Sequence, residues 1–421
     1  MTMTAFHYQN GQLYAENVSI KEIANVVPTP FYLYSERVLR DQMWAFTQAA
    51  EKHLPAFLVC FAVKSNANPA IIKVLASMGA GADIVSEGEL LLALKSGIPA
   101  EKIVFSGVGK TEKALILAVE KGIKQINLES EEEAVLLDGI AEKVGKKVKV
   151  AVRVNPDVDA RTHQKITTGK KENKFGVAWQ EARPLYQRLM RMQNLIPVGI
   201  DVHVGSQLLE TKPFDEAFER TAEIVRVLKK DGIALRTIDV GGGLGVAYRE
   251  EDEPCSPDKY MVCVAGRLGT LGCELVFEPG RFLSAPAGML VSRVVRVKRT
   301  PVKDFLVLDA GMNDLIRPAI YDAYHGIEAV KKGMATHRFD VVGPICESSD
   351  VFGKDRFLPE MQAEDLVVLK TAGAYGSSMG SNYNFRPLCA EVLVNGDQFA
   401  VIRKRQTFDD MLALNCPAPW L

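Results

Sequence analysis

The sequence predicts an α/β chain in two parts, a TIM-type (β/α)8 barrel plus a C-terminal antiparallel β domain of sandwich or barrel-like form. Three observations lead there. From about residue 36, short apolar runs alternate with longer amphipathic segments, the pattern of repeated βα units on a parallel sheet. The runs number eight, which is the count that closes a barrel. After Pro286 the texture changes to β-rich stretches divided by Gly, Pro and Asn-Gly signals. A chain of 421 residues also exceeds one ordinary domain. The expected boundaries are 36–285 for the barrel, with 1–35 and 286–421 forming the β domain.

In order, the expected barrel strands are Phe57–Val63, Ala82–Ile84, Ile103–Phe105, Gln125–Leu128, Val148–Val154, Val198–Val204, Thr237–Val240 and Glu274–Phe277. Pro69–Met78, Glu87–Ser96, Glu112–Lys121, Glu131–Val144 and Phe214–Lys230 carry apolar residues at helical spacing and fit between them. In the second part, Met289–Val297, Phe305–Asp309, Leu366–Lys370, Ala390–Val394 and Phe399–Arg403 read as strands, and the aromatic segment Pro30–Tyr34 is able to add another.

Composition narrows the function classes. A net charge of -1 offers no electrostatic footprint for nucleic acid, so no such partner is expected. No apolar run approaches the roughly 20 residues that cross a bilayer, so no membrane partner is expected either. Met1–Asn10 lacks the basic start and apolar core of a secretory signal, which points to the cytoplasm. Seven scattered cysteines without a CxxC pair argue against a disulfide framework or a zinc cluster. The six histidines form no HxH or HxxxH pattern, so no metal is expected.

Reactive groups in a TIM barrel sit just past the strands, and polar residues accumulate there. Lys64 ends the first strand, before Ser65-Asn66-Ala67-Asn68-Pro69. An amine partly withdrawn from water loses its proton more readily and becomes able to form a Schiff base with an aldehyde; a lysine snorkelling to solvent is the plain alternative. Asp239-Val240-Gly241-Gly242-Gly243 follows the seventh strand, where glycine N–H groups can approach a phosphate. A tight turn is the plain alternative there. A dinucleotide fingerprint would sit after the first strand instead. His203-Val204-Gly205-Ser206 follows the sixth strand and Glu278-Pro279-Gly280-Arg281 the eighth. A carboxylate there can keep a cofactor's pyridine nitrogen protonated, and an arginine can take an anion in its fork. Ordinary salt-bridged loops would look the same.

The ordered series FAVKSNANP around Lys64, HVGSQ, GGGLG, EPGRF, DAGMNDLIRPAIYDAYH around Arg317, GPICESSD around Cys346 and AGAYGSSMGSNYN around Tyr375 resembles the fold-type III pyridoxal-phosphate decarboxylases over nearly the whole chain. Within them it is most similar to those acting on meso-2,6-diaminopimelate. The resemblance implies pyridoxal 5'-phosphate as cofactor, with Lys64 as the Schiff-base residue, His203 stacked on the ring and Glu278 at its nitrogen. It implies Ser206, Gly241, Gly242, Gly243, Gly280, Arg281 and Tyr375 around the phosphate. Arg281, Arg317, Tyr321, Glu347 and Tyr375 would meet a small amino-acid substrate, with Arg317 and Tyr321 on its distal carboxylate and Glu347 on its distal ammonium. Cys346 would be the proton donor from a neighbouring subunit, in a homodimer with shared active sites. The implied reaction is decarboxylation at the D-centre, giving L-lysine and CO2.

Alternatives on the same scaffold are an ornithine, lysine or arginine decarboxylase, a racemase, or a non-catalytic cofactor-binding regulator. Two segments depart from the family pattern: Phe385-Arg386-Pro387-Leu388-Cys389 is more apolar than usual, and Asp258–Leu271 places Met261, Cys263 and Gly266 in a helix.

Overall fold

The computed structural model describes residues 4–158 and 174–420. Its backbone divides into two compact units, one of residues 40–247 and 253–283, the other of residues 1–39, 248–252 and 284–421.

The first unit is a closed barrel of eight parallel strands: β1 (Phe57–Ala62), β2 (Gly81–Ile84), β3 (Ile103–Phe105), β4 (Gln125–Leu128), β5 (Val148–Asn155), β6 (Leu195–Asp201), β7 (Thr237–Asp239) and β8 (Glu274–Phe277). Neighbours in sequence pair in parallel, and β8 closes on β1 with Val276 opposite Leu58. The strands read as near-continuous apolar runs because helices and the barrel interior leave neither face in water. Inside, Leu58, Cys60, Val104 and Val276 form an apolar plug. Gly199 on β6 lets the next strand come close: a Cβ there would lie 2.1 Å from Thr237 Oγ1.

The expected helices form, and their starts are written in the sequence. Asn68, Ser86, Thr111 and Ser130 each accept a hydrogen bond from a backbone N–H of the first turn that would otherwise lack a partner. Glu131, Glu132 and Glu133 add negative charge at the positive end of a helix dipole. Helix Trp179–Leu189 escapes a periodicity reading because Pro184 lies inside it. The atypical segment is helical over Pro257–Leu268; Ser256 caps it, and Gly266 faces open space.

The second unit contains a sheet with strands in the order Val351–Leu358, His337–Val342, Asp304–Leu308, Gly288–Arg299, Phe31–Ser35, Ala390–Asn395 and Gln398–Arg403. Phe31–Ser35 does join it, beside Gly288–Arg299. Most pairings are antiparallel, but Asp304–Leu308 with His337–Val342 and Phe31–Ser35 with Ala390–Asn395 are parallel, so the sheet is mixed rather than purely antiparallel. Local alternation encodes a strand but not its partner's direction. Phe31, Leu33, Met289, Val291, Val368, Val392 and Val394 pack into its core with Ile20 and Ile23. The apolar departure after Asn384 has a local account: Asn384 and Phe385 both take left-handed backbone, and Cys389 Sγ lies 2.9 Å from Asp314 Oδ1 in the interior.

Candidate active site

In the barrel unit, every site residue expected from the sequence falls at the C-terminal end of a strand. Lys64 occupies a 3-10 turn, Val63–Ser65, directly after β1. Its Nζ lies 2.5 Å from Oδ2 of Asp83, a fully buried residue of β2. His203 and Ser206 follow β6, Gly241–Gly243 follow β7, and Glu278 is the first residue beyond β8. The mouth of the barrel therefore collects one amine, one imidazole and several acids.

The acids are the dominant electrostatic feature. Asp201, Asp239 and Glu278 each bring a carboxylate oxygen within 4.8 Å of the others, and all three are buried. Withdrawal from water pushes Asp201 and Glu278 well above the usual carboxylate range, and repulsion from neighbouring acids adds to it. Asp239 is raised to about 7, chiefly by burial. Arg153 faces this group, 2.8 Å from Glu129 and 3.8 Å from Asp201, and the Lys64 charge also acts on Glu278. Neutral hydrogen bonds complete the network. Ser106 donates to Glu278 at 3.2 Å, Asn127 donates to Ser106 at 3.0 Å and to Asp239 at 3.2 Å, and the Gly241 N–H donates to Asp239 at 3.1 Å. Three carboxylates at this spacing also match a cation-ligand pattern, which motif spacing alone did not reveal. Their raised affinity for protons instead favours shared hydrogens.

His203 is held neutral. The Gly242 N–H donates to its Nδ1 at 3.1 Å, so that nitrogen carries the lone pair and a single ring proton resides on Nε2. Desolvation and the charges of Arg153 and Lys64 depress its pKa well below the ordinary histidine value.

The glycines are required by close packing. Gly241 and Gly243 have φ of +65° and +107°. A Cβ on Gly241 would lie 2.6 Å from His203 Nδ1, and one on Gly242 would lie 2.4 Å from the Glu278 carbonyl. On Gly280 it would meet Ser65 at 2.9 Å. Four loops thus press together at the mouth. Arg281 is buried beside them and donates to Ser206 Oγ from Nε at 3.3 Å and from Nη2 at 3.0 Å.

The remaining expected residues belong to the second unit. Arg317 begins the short helix Arg317–Tyr321 and is only 6% exposed; Tyr321 ends that helix. Cys346 and Glu347 stand exposed on a loop organised by Asp350, whose carboxylate accepts the N–H groups of Met312 and Ile345, each at 2.7 Å. The Cys346 N–H donates to Asn384 Oδ1 at 3.1 Å, and Glu347 pairs with Ser349. Tyr375 takes a left-handed φ of +55°, unusual for an aromatic residue and a strain of the kind that accumulates at functional sites.

Sequence reasoning missed Asp83, Ser106, Asn127 and Asp201 as participants. A signal existed for Asp83 and Asn127: each is a polar residue inside a short, otherwise apolar strand, GADI and QINL.

The barrel supplies what pyridoxal phosphate requires. There is a lysine for the aldehyde, a proton-holding carboxylate, and glycine-lined backbone with Ser206 and Arg281 suited to a phosphate. Comparison with known proteins agrees. Residues 40–285 match the family "pyridoxal-dependent decarboxylase, pyridoxal binding domain". The chain is 45% identical over 421 residues to diaminopimelate decarboxylase of Zymomonas mobilis, covering 100% of both chains. It is 46% identical over 412 residues to the Pseudomonas aeruginosa enzyme, covering 98% of each. Among solved structures, diaminopimelate decarboxylase from M. jannaschii in complex with L-lysine superposes with a TM-score of 0.94 at 35% identity, covering 99% of both chains. Its barrel, its phosphate-suited loops and its full-length relatives agree, and this chain belongs to the diaminopimelate decarboxylase family of pyridoxal-dependent decarboxylases.

Proposed function

We propose that the protein removes the D-centre carboxylate of meso-2,6-diaminopimelate, releasing CO2 and L-lysine, the last step of lysine biosynthesis. The observation that carries this reading is identity of about 45% across the entire length to enzymes of that activity. When bound, pyridoxal 5'-phosphate supplies an aldehyde that captures amines and a ring that stores the electron pair left by CO2. The chain's own groups do the rest. Lys64 anchors the cofactor, and Asp83 steadies its ammonium form at the mouth. Glu278, with its high proton affinity, brings the hydrogen that the ring nitrogen needs. A neutral His203 can lie against the ring without adding a second positive charge. Gly241, Gly242, Gly243, Gly280, Ser206, Arg281 and Tyr375 receive the phosphate.

Arg317 and Tyr321 hold the distal carboxylate, with Arg281 assisting, and Glu347 holds the distal ammonium. Cys346 delivers a proton to the α-carbon. The working form is a homodimer in the cytoplasm, in which Lys64 of one protomer acts with Cys346 and Glu347 supplied by its partner. Seven unpaired thiols suit a reducing compartment, and among the described residues no helix is long and apolar enough to cross a membrane.

The nearest rival, an ornithine, lysine or arginine decarboxylase, has no use for a buried arginine aimed at a distal carboxylate. The discriminating experiment is CO2 release by the purified holoenzyme from meso-diaminopimelate beside ornithine, lysine and arginine. Turnover of diaminopimelate alone is expected; a faster reaction with any of the others would overturn the assignment.

A further inference from the structure

We propose that His325 is a positioning residue: a neutral imidazole that holds Arg317 in the attitude that receives the substrate's distal carboxylate. The proposal rests on the reading of Arg317 given above.

The hydrogen-bond chemistry leaves one arrangement. His325 is fully buried, with Nδ1 2.8 Å from the Lys370 carbonyl oxygen and Nε2 2.8 Å from Arg317 Nη1. A carbonyl only accepts, so Nδ1 carries the proton; a guanidinium only donates, so Nε2 offers its lone pair. A charged imidazolium would point an N–H at another N–H, so this geometry holds His325 neutral. The frame around it is rigid. Lys370 directly follows strand Leu366–Leu369, which pairs with Ile327–Ala329, and the Lys370 N–H bonds back to the Gly326 carbonyl at 2.8 Å. Tyr248 supports both side chains, with its ring 4.7 Å from Arg317 Cζ and edge-on to His325 at 5.4 Å.

The choice of a neutral acceptor has a consequence for binding. A carboxylate at this position would orient Arg317 equally well, but it would form a buried ion pair and compete with the incoming carboxylate. An imidazole fixes one N–H of the guanidinium without bringing a negative charge of its own.

The test uses holoenzyme and two ligands that differ in the distal group. L-lysine keeps the distal carboxylate; 1,5-diaminopentane (cadaverine) has none. His325→Asn retains a donor near the Lys370 carbonyl but lacks the acceptor facing Arg317, whereas the longer His325→Gln carries an amide oxygen to the Nε2 position. For His325→Asn, the KM for diaminopimelate should rise about tenfold, lysine affinity should fall by a similar factor, and kcat and cadaverine affinity should hold. His325→Gln should restore most of the loss. If the two variants behave alike, or weaken both ligands in parallel, His325 is merely structural and the proposal fails. Should His325→Asn not fold, the nearly isosteric pair His325→Gln and His325→Glu decides: only the Glu variant should lose lysine affinity, and equal behaviour overturns the idea. Arg317→Lys separates the two layers. If its preference for lysine over cadaverine survives, the carboxylate-clamp reading itself is wrong. If that preference is lost there yet survives in His325→Asn, only the positioning role is wrong.

Discussion

Replacing Asp239 by asparagine should make the cofactor-free protein less stable in acid, below about pH 4, and more stable in mild alkali, so that the two stability curves cross. Asp239 is fully buried, and its pKa rises from 3.8 to about 7, chiefly by burial and further by the Asp83 charge. In the unfolded chain an aspartate titrates near its ordinary value, so between these limits the native state binds more protons than the unfolded state. Stability is then complete below about pH 4 and is lost as pH rises through about 7. At about 1.36 kcal/mol per pH unit the loss is on the order of 4 kcal/mol, an upper bound because Glu278 shares the same protons. Asparagine removes the ionisation. Its oxygen can still accept the Gly241 N–H, and its NH2 can face Glu278, but it cannot also accept from Asn127. That missing bond costs about 1 kcal/mol at every pH. Urea unfolding at fixed protein concentration, at about pH 3 and about pH 8.5, should therefore place the variant about 1 kcal/mol below wild type and then up to about 3 kcal/mol above it. A variant uniformly less stable at both values would show that Asp239 ionises freely, and the proton-sharing account of the acid cluster would collapse.

Lys64→Ala should abolish turnover and the borohydride-fixable attachment of cofactor to protein; a fixable linkage surviving at another lysine refutes the assignment. Glu278→Gln should still bind cofactor but lose several decades in kcat, because a glutamine cannot keep the ring nitrogen charged; a rate equal to wild type would make Glu278 structural. Inactive Lys64→Ala and Cys346→Ala chains, mixed under confirmed subunit exchange, should recover roughly a quarter of wild-type activity, since about half of the dimers are mixed and each mixed dimer has one intact site. No recovery above the parents would place Cys346 outside a shared site.

Much of the barrel was legible because each βα unit is locally encoded. Strand-length apolar runs end at polar residues, and Asn68, Ser86, Thr111 and Ser130 announce the helices that follow. The positions of Lys64, His203, Gly241 and Glu278 at strand ends follow from the same periodicity, because closing the barrel brings all strand ends to one rim. Their chemistry does not follow from it. Asp201 and Asp239 are polar letters on different strands, and only closure packs them beside Glu278 into one dry interior where burial raises their affinity for protons. The tautomer of His203 depends on the Gly242 N–H, 39 positions away, and the link from His325 to Arg317 depends on a carbonyl 45 positions further along. Local sequence therefore specified which residues would reach the site, whereas long-range packing, by removing water and supplying particular donors and acceptors, decided their protonation and orientation.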